Sequence, residues 1–194
     1  MSDNLTPDKP APDNLTPAPS RGFLRVAFSW VRDLVLSVVI AILVILFIYQ
    51  PVKVEGTSMQ PSLEDQERIF INKFVYRFGL GEVQRGDLVV FWYPGDSSKS
   101  YIKRVIGLPG DTVQIDDGIV KVNSQTLTED YVPAAFRDRQ SLRAEEVPPD
   151  HFFVLGDHRT SSNDSRSCGP VHRRHIYGKA VFIYWPPEKI GLIR

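Results

Sequence analysis

Tyr101-Ile102-Lys103-Arg104-Val105-Ile106 runs into Gly107-Leu108-Pro109-Gly110, and this stretch sets the character of the folded part of the chain. β-Branched and aromatic side chains in a short run closed by Gly and Pro read as a strand. Side chains alternate across a strand, so Tyr101, Lys103 and Val105 share one face and Ile102, Arg104 and Ile106 the other. If the strand is well buried, one face takes a cation inward. Arginine stays charged, whereas lysine can shed its proton when desolvated. Lys103 is therefore the candidate for an inward, neutral amine, at a differential solvation of about 3 kcal/mol for a pKa lowered by about two units. Taken alone, the stretch fits more simply at a sheet edge, with the Lys103 head in water.

Outward from this strand the β signal repeats. Residues 68–72 read as a strand, and so do residues 87–93, bounded by Gly86 and Pro94. Residues 112–116 and 119–123 flank Asp117-Gly118, a pair that marks a tight hairpin. Residues 151–155 and 179–185 read as further strands. Phe74, Tyr76 and Phe78 alternate with Val75 and Arg77 before Gly79 and Gly81, and belong either to the core or against lipid. Residues 129–149 are polar and carry prolines, as a loop or surface excursion does. Helical periods are few here, so residues 51–194 are expected to form a mainly β, antiparallel domain.

Two other stretches carry chemistry. Val54-Glu55-Gly56-Thr57-Ser58-Met59-Gln60-Pro61-Ser62-Leu63 holds a serine in a segment punctuated by Gly56 and Pro61. A turn that presents a hydroxyl beside a backbone N–H suits an acyl-transfer nucleophile. A plain solvated loop is the simpler reading of that segment by itself. Gly156-Asp157-His158-Arg159-Thr160-Ser161-Ser162-Asn163-Asp164-Ser165-Arg166 gathers hydroxyls, carboxylates and arginines behind an apolar strand. It reads either as a polar surface turn or as a buried network that holds a base in place. A neutral amine near a serine hydroxyl can act as general base.

The N-terminal part differs in kind. Residues 1–20 are rich in Pro, Asp and Asn, and Asp3-Asn4-Leu5-Thr6-Pro7 recurs as Asp13-Asn14-Leu15-Thr16-Pro17. Such a segment lacks the apolar surface to order itself and is expected to be a disordered tail. Residues 34–49 are apolar except for Ser37. Sixteen helical residues reach about 24 Å, and Arg32, Trp30 and Tyr49 can extend the segment to both interfaces of a bilayer. Residues 21–50 are thus expected to form a membrane-proximal segment and a transmembrane anchor. A buried core helix is the alternative, though the segment lacks a polar face. Gln50-Pro51-Val52-Lys53-Val54 offers no small-x-small cleavage pattern, which argues against a removed signal peptide. Arg21, Arg25 and Arg32 precede the span and only Lys53 closely follows it, so the tail is expected in the cytoplasm and residues 51–194 outside.

Composition excludes several classes. Lys+Arg and Asp+Glu are equal at 23 each over 194 residues, so no basic excess points to nucleic acid. Cys168 is the single cysteine, which rules out an internal disulfide and a metal site built from several cysteines. It reads as a packed or idle thiol. His151, His172 and His175 show no metal-ligand spacing. Arg173, Arg174 and Lys189 are expected to face solvent.

Ser58-Met59-Gln60-Pro61-Ser62-Leu63, Tyr101-Ile102-Lys103-Arg104 with Gly107-Leu108-Pro109-Gly110-Asp111, and Gly156-Asp157-His158-Arg159 through Asp164-Ser165-Arg166 together resemble the type I signal peptidases. Arg85-Gly86-Asp87-Leu88-Val89-Val90-Phe91, Gly169-Pro170-Val171 and Gly178-Lys179-Ala180-Val181-Phe182 extend the resemblance to the C-terminus. The resemblance implies a membrane-tethered serine endopeptidase of mainly β fold. Ser58 falls on its nucleophile, Lys103 on its general base, and Ser162 on the hydroxyl that hydrogen-bonds the lysine. Asp157, Asp164, Arg159 and Arg166 match supporting ion pairs, and Val54, Met59, Leu63, Tyr101 and Ile102 match the walls of pockets for small side chains. The implied substrates are exported preproteins cut after small residues, of the Ala-x-Ala type, at the plasma membrane and its lipid, with no metal or cofactor. The chain departs from the family pattern at Gly56, where some members carry serine, at His158, where Asn is common, and at Cys168, where an aromatic is usual. His158 is the rival base. Two other readings stand beside this one: a self-cleaving regulator with the same chemistry, and a tethered extracytoplasmic binding domain without catalysis.

Overall fold

The computed structural model describes residues 21–73 and 81–193, of which 21–24 and 45–48 are described for the backbone alone. The expected tail over residues 1–20 and the aromatic alternation of Phe74, Tyr76 and Phe78 lie outside the described residues. The chain divides into two compact units between Ile42 and Leu43.

Helix α1 (Arg21–Ile48) has 28 residues, about 42 Å at 1.5 Å per residue. That exceeds a hydrocarbon core of about 30 Å. Its large apolar side chains, from Val26 and Phe28 to Leu43 and Val44, are all exposed. A helix apolar on every side, and of this length, has the character of a membrane span. Among the described residues it is the one helix long and apolar enough to cross a bilayer. The helix stops at Ile48 and Tyr49 enters a strand, because Pro51 two positions further on cannot continue a helix. Tyr49 packs edge-on against Phe70 at 6.4 Å between ring centroids.

The strands follow in chain order: β1 (Tyr49–Lys53), β2 (Arg68–Asn72), β3 (Leu88–Tyr93), β4 (Asp96–Gly107), β5 (Thr112–Asp116), β6 (Ile119–Val122), β7 (Gln125–Thr126), β8 (Leu142–Glu146), β9 (His151–Leu155), β10 (Val171–His172), β11 (Ile176–Trp185) and β12 (Gly191–Leu192). One sheet runs β1-β2-β11-β3-β4-β9-β10, with β12 beside β11, and a smaller one runs β7-β6-β5-β8. The pairs are antiparallel throughout. The mainly β antiparallel expectation is met. The hairpin at Asp117-Gly118 has φ values of 46° and 80°, the doubly left-handed turn that matches the twist of its strands.

Alternation distributes the core. Leu88 and Val90 join Val54, Met59, Leu63, Ile69, Ile71 and Ala180 on one face of the large sheet. Val89 and Phe91 join Val105, Phe152 and Val154 on the other. Phe153 and Leu155 turn instead toward Val113, Ile115, Val120 and Val122 of the small sheet. Strand β9 thus belongs to two cores at once.

Residues 129–149 are not wholly irregular. Leu142–Glu146 forms β8 along β5, although its side chains are mostly exposed and its sequence has little β character. Pairing with an existing edge, not propensity, makes it a strand. Phe153 is fully buried where the two sheets meet. Phe153→Ala is expected to lower the unfolding free energy by about 3–5 kcal/mol, read from the shift of the denaturant midpoint in detergent solution.

Candidate active site

Ser58 lies in the connection between β1 and β2. The base of this connection is closed by Val54 N–H donating to Glu67 O at 2.8 Å and Gln66 N–H donating to Val54 O at 2.9 Å. Inside it, Gln60 N–H donates to Thr57 O at 3.1 Å and Leu63 N–H to Met59 O at 2.9 Å. Gly56 N–H donates to Asp65 Oδ1 at 2.8 Å. Met59 and Leu63 anchor the loop in the core at 2% and 0% exposure, which leaves the side chain between them and Thr57, that of Ser58, half-buried at the surface.

A second element holds the same loop from the far side. The segment after β9 passes so close that a side chain at Gly156 would clash. A Cβ there would stand 2.5 Å from Ser58 O and 2.2 Å from Ser162 Oγ. His158 N–H donates to Ser58 O at 3.1 Å, and the His158 ring nitrogen Nδ1 pairs with Thr57 O at 3.2 Å. The His158 ring is thus engaged with the backbone beside Ser58. Its other face meets Phe136 edge-on. Among the described residues, Ser58 N–H has no hydrogen-bond partner.

Strand β4 brings Lys103 to this loop. Its Nζ lies 2.7 Å from Ser58 Oγ and donates to Ile102 O at 3.0 Å. Lys103 is 3% exposed. Burial pushes its pKa down to about 8, opposed by the nearby charges of Asp164 and Asp157. The Tyr101 ring, 5.3 Å from Nζ, gives the amine a further neighbour. The strand pattern asked for one inward cation, yet both enter: Arg104 is also 3% exposed. Arg104 makes a two-pronged contact with Asp157, at 2.9 and 2.7 Å. It also donates to Gly86 O and Ser62 Oγ and lies over the Tyr131 ring at 4.0 Å.

The carboxylates and arginines of 157–166 form buried pairs, with partners that the sequence did not reveal. Asp157 takes Arg104. Arg159 takes Glu129, and Arg166 takes both Asp164 and Asp138. Glu129 and Asp138 lie in the stretch read as a polar excursion, and no spacing rule connects residues 30 and 28 positions away from their partners. Asp164 also caps the short helix α2 (Ser165–Cys168) and accepts from Gly156 N–H. Although buried, its carboxyl stays below the usual range because Arg166 and the Gly156 N–H hold the charged form. Ser162 contributes to that effect but closes no hydrogen bond of ordinary geometry, either to Asp164 or to Lys103. The expected Ser162–Lys103 bond is therefore absent. Cys168 Sγ contacts Asp164 O at 3.3 Å, and burial pushes its thiol up, so it is a packed thiol.

Beside Ser58 and Lys103 lies a cleft of about 160 Å³, lined among others by Val54, Met59, Val90, Tyr101 and Ile102. Four of the five expected wall residues meet there. Leu63 does not. It is fully buried within the core beneath the loop, so it supports the wall and does not form it.

A half-buried serine hydroxyl against a desolvated amine, beside a small cleft on a β scaffold, is the equipment of the serine-type hydrolases. The family model described as signal peptidase, peptidase S26, matches residues 27–185. A signal peptidase I of Bacillus licheniformis is 37% identical over 173 residues, covering 84% of this chain and 91% of its own. One from Leptolyngbya laminosa is 36% identical over 198 residues, covering 98% and 94%. A crystal structure of a signal peptidase I from Enterococcus faecalis is similar to half of this chain, with 33% identity, 96% of its own chain covered and a TM-score of 0.46. The chain belongs to the signal peptidase I family of membrane proteases.

Burial of Lys103 has a consequence for stability that is separate from activity. The unfolded chain carries this lysine near its ordinary pKa of 10.5, the folded chain near 8. Between those values the unfolded state binds more protons, so stability rises with pH; below about 8 the folded state bears the whole penalty. Replacing Lys103 by Met removes that dependence. The wild type is expected to gain about 2 kcal/mol relative to Lys103→Met between about pH 7 and 9.5, read from denaturant midpoints of both proteins at each pH.

Proposed function

We propose that this chain is a signal peptidase that removes N-terminal signal peptides from exported preproteins, with Ser58 as nucleophile and Lys103 as general base. The observation that carries the reading is the 2.7 Å contact between Lys103 Nζ and Ser58 Oγ at an amine shielded from water. With the amine neutral, the Ser58 O–H donates to the Nζ lone pair. Ser58 Oγ attacks the scissile carbonyl as its proton passes to Nζ. The tetrahedral oxyanion meets the Ser58 N–H, which has no other partner among the described residues. The proton on Nζ then passes to the leaving amine, and an acyl-enzyme remains. Lys103, neutral again, takes a proton from water, whose oxygen attacks the ester and frees Ser58.

The substrate segment is proposed to lie extended along β4. Strand β9 pairs with β4 only at Arg104, Val105 and Gly107, so among the described residues the same edge over residues 101–103 has no strand partner. An added strand there would satisfy its backbone groups and place alternate side chains in the cleft. Its volume of about 160 Å³ is well below that of an ordinary small-molecule site and suits short side chains. Asp157, Arg159, Asp164 and Arg166 support the dyad from ion pairs around it: Asp157 with Arg104, Arg159 with Glu129, and Arg166 with Asp164 and Asp138.

We place the parts of the chain accordingly: residues 1–20 as a cytoplasmic tail, 21–50 as anchor, and 51–194 as the extracytoplasmic catalytic domain. The arginines ahead of the span, Arg21, Arg25 and Arg32, support that orientation. Membrane lipid and exported preproteins are the partners.

The test is cleavage of a preprotein with an Ala-x-Ala site by the full chain in detergent and lipid. Ser58→Ala and Lys103→Ala, each checked for folding, are expected to abolish it. Survival of activity in Lys103→Ala would move the base elsewhere, and inertness of the wild type would leave a tethered binding domain. In the wild type the rate of the acylation step is expected to rise with pH and level off above about 8, as Lys103 loses its proton. Gly156→Ala, which pushes on Ser58 O, is expected to lower kcat by about a hundredfold while the near-ultraviolet circular dichroism of the fold persists.

A further inference from the structure

An open cavity of about 930 Å³ lies apart from the Ser58 cleft, lined by Gln50, Lys73, Trp92, Asp150, His172, Arg173, Arg174 and Tyr177 among others. Its size is that of a small-molecule site. Three of its side chains are cations, and among the described residues none of Lys73, Arg173 and Arg174 has a carboxylate within ion-pair distance. Lys179, two positions after Tyr177 on β11, is by contrast matched with Asp87. Asp150 is the one acid in the lining, and it engages Arg173 through its backbone, whose carbonyl accepts from Arg173 N–H at 2.7 Å.

The neutral groups are also arranged to donate. His172 Nδ1 accepts from Arg174 N–H at 3.1 Å, so the ring proton sits on Nε2. His151 and His175 stand ring to ring with His172, at 4.8 and 6.5 Å between centroids. Trp92 and Tyr177 stack at 4.4 Å and form an apolar wall, and the Lys73 ammonium lies 5.9 Å from the Tyr177 ring. Tyr177 is fixed in that place by its hydroxyl, which donates to Ser100 Oγ at 3.0 Å. Guanidinium forks match phosphate oxygens, two N–H groups to two oxygens. Gln50 follows the last residue of α1 by two positions, so the polypeptide passes from the apolar helix to the cavity wall within about 7 Å.

We infer that this cavity binds a phosphate group, carried by an anionic phospholipid headgroup or by a soluble phosphate, through Arg173, Arg174, Lys73 and the Nε2–H of His172. The Trp92–Tyr177 wall accepts the carbon skeleton attached to it. The site shares no charged residue with the Ser58–Lys103 pair and does not depend on its chemistry.

Calorimetric titration of the full chain in non-ionic detergent tests it, with inorganic phosphate and dihexanoyl-phosphatidylglycerol as probes. At least one probe is expected to bind the wild type, and binding is expected to weaken by about tenfold or more in Arg173→Gln/Arg174→Gln and by less in Lys73→Gln. Arg173→Lys/Arg174→Lys, which keeps the charge and loses the forks, is expected to fall between wild type and the Gln pair. Tighter binding of the lipid assigns the site to a headgroup; equal or tighter binding of phosphate assigns it to a soluble ligand. Arg143→Gln, on exposed β8, leaves binding unchanged. Failure of both probes to bind the wild type at about 10 mM, or equal binding by wild type and the folded Gln pair, overturns the assignment.

Discussion

The withdrawal of Lys103 from water is the constraint around which the rest of the site is built. A buried ammonium is costly, and the pKa of the side chain falls because burial outweighs the attraction of Asp157 and Asp164. Each is tied to an arginine, Asp157 to Arg104 and Asp164 to Arg166. Arg166 offsets part of their field at Lys103 and burial outweighs the rest, so the amine sits among charged groups with its proton weakly held.

The same pairs do mechanical work. Asp157 lies between β9 and the His158 segment, and its partner Arg104 follows Lys103 directly on β4. The link fixes β4 against the segment that touches the Ser58 carbonyl. Arg104 also reaches Ser62, four residues after Ser58. Ser58 and Lys103 are 45 positions apart in the chain, yet they are held together from both sides by one buried guanidinium and by the close pass of Gly156. Residue 156 must be glycine for a reason of space, not of backbone conformation.

The two hollows of the domain contrast. The cleft beside Ser58 is small, with walls of mixed apolar and polar side chains and a strand edge that has no partner among the described residues, as suits a short side chain on an extended peptide. The cavity under Trp92 and Tyr177 is several times larger and rimmed by Lys73, Arg173 and Arg174, cations with no carboxylate partner among the described residues. Desolvation governs the first and Coulombic attraction the second. Salt is therefore expected to matter little at the cleft and strongly at the cavity rim.

The sequence by itself determined the class of fold and marked the two residues that we propose react. Alternation marked 68–72, 112–116 and 151–155 with the limits that the strands have, because burial on one or both faces of a strand writes a period of two into the chain. It singled out Lys103, since a cation within an apolar strand has few places to go. It did not find β1, β7, β8, β10 or β12, which are short or polar and become strands only by pairing with an edge already formed. Nor did it find Glu129 and Asp138 as partners of Arg159 and Arg166, or separate Leu63 from the cleft wall, or show that Arg173 and Arg174 share a cavity with Lys73. Those facts depend on which surfaces meet when distant segments pack. A charge carries no mark of its partner in the sequence, and whether an apolar residue lines a cleft or fills a core depends on what packs above it, which only the tertiary structure decides.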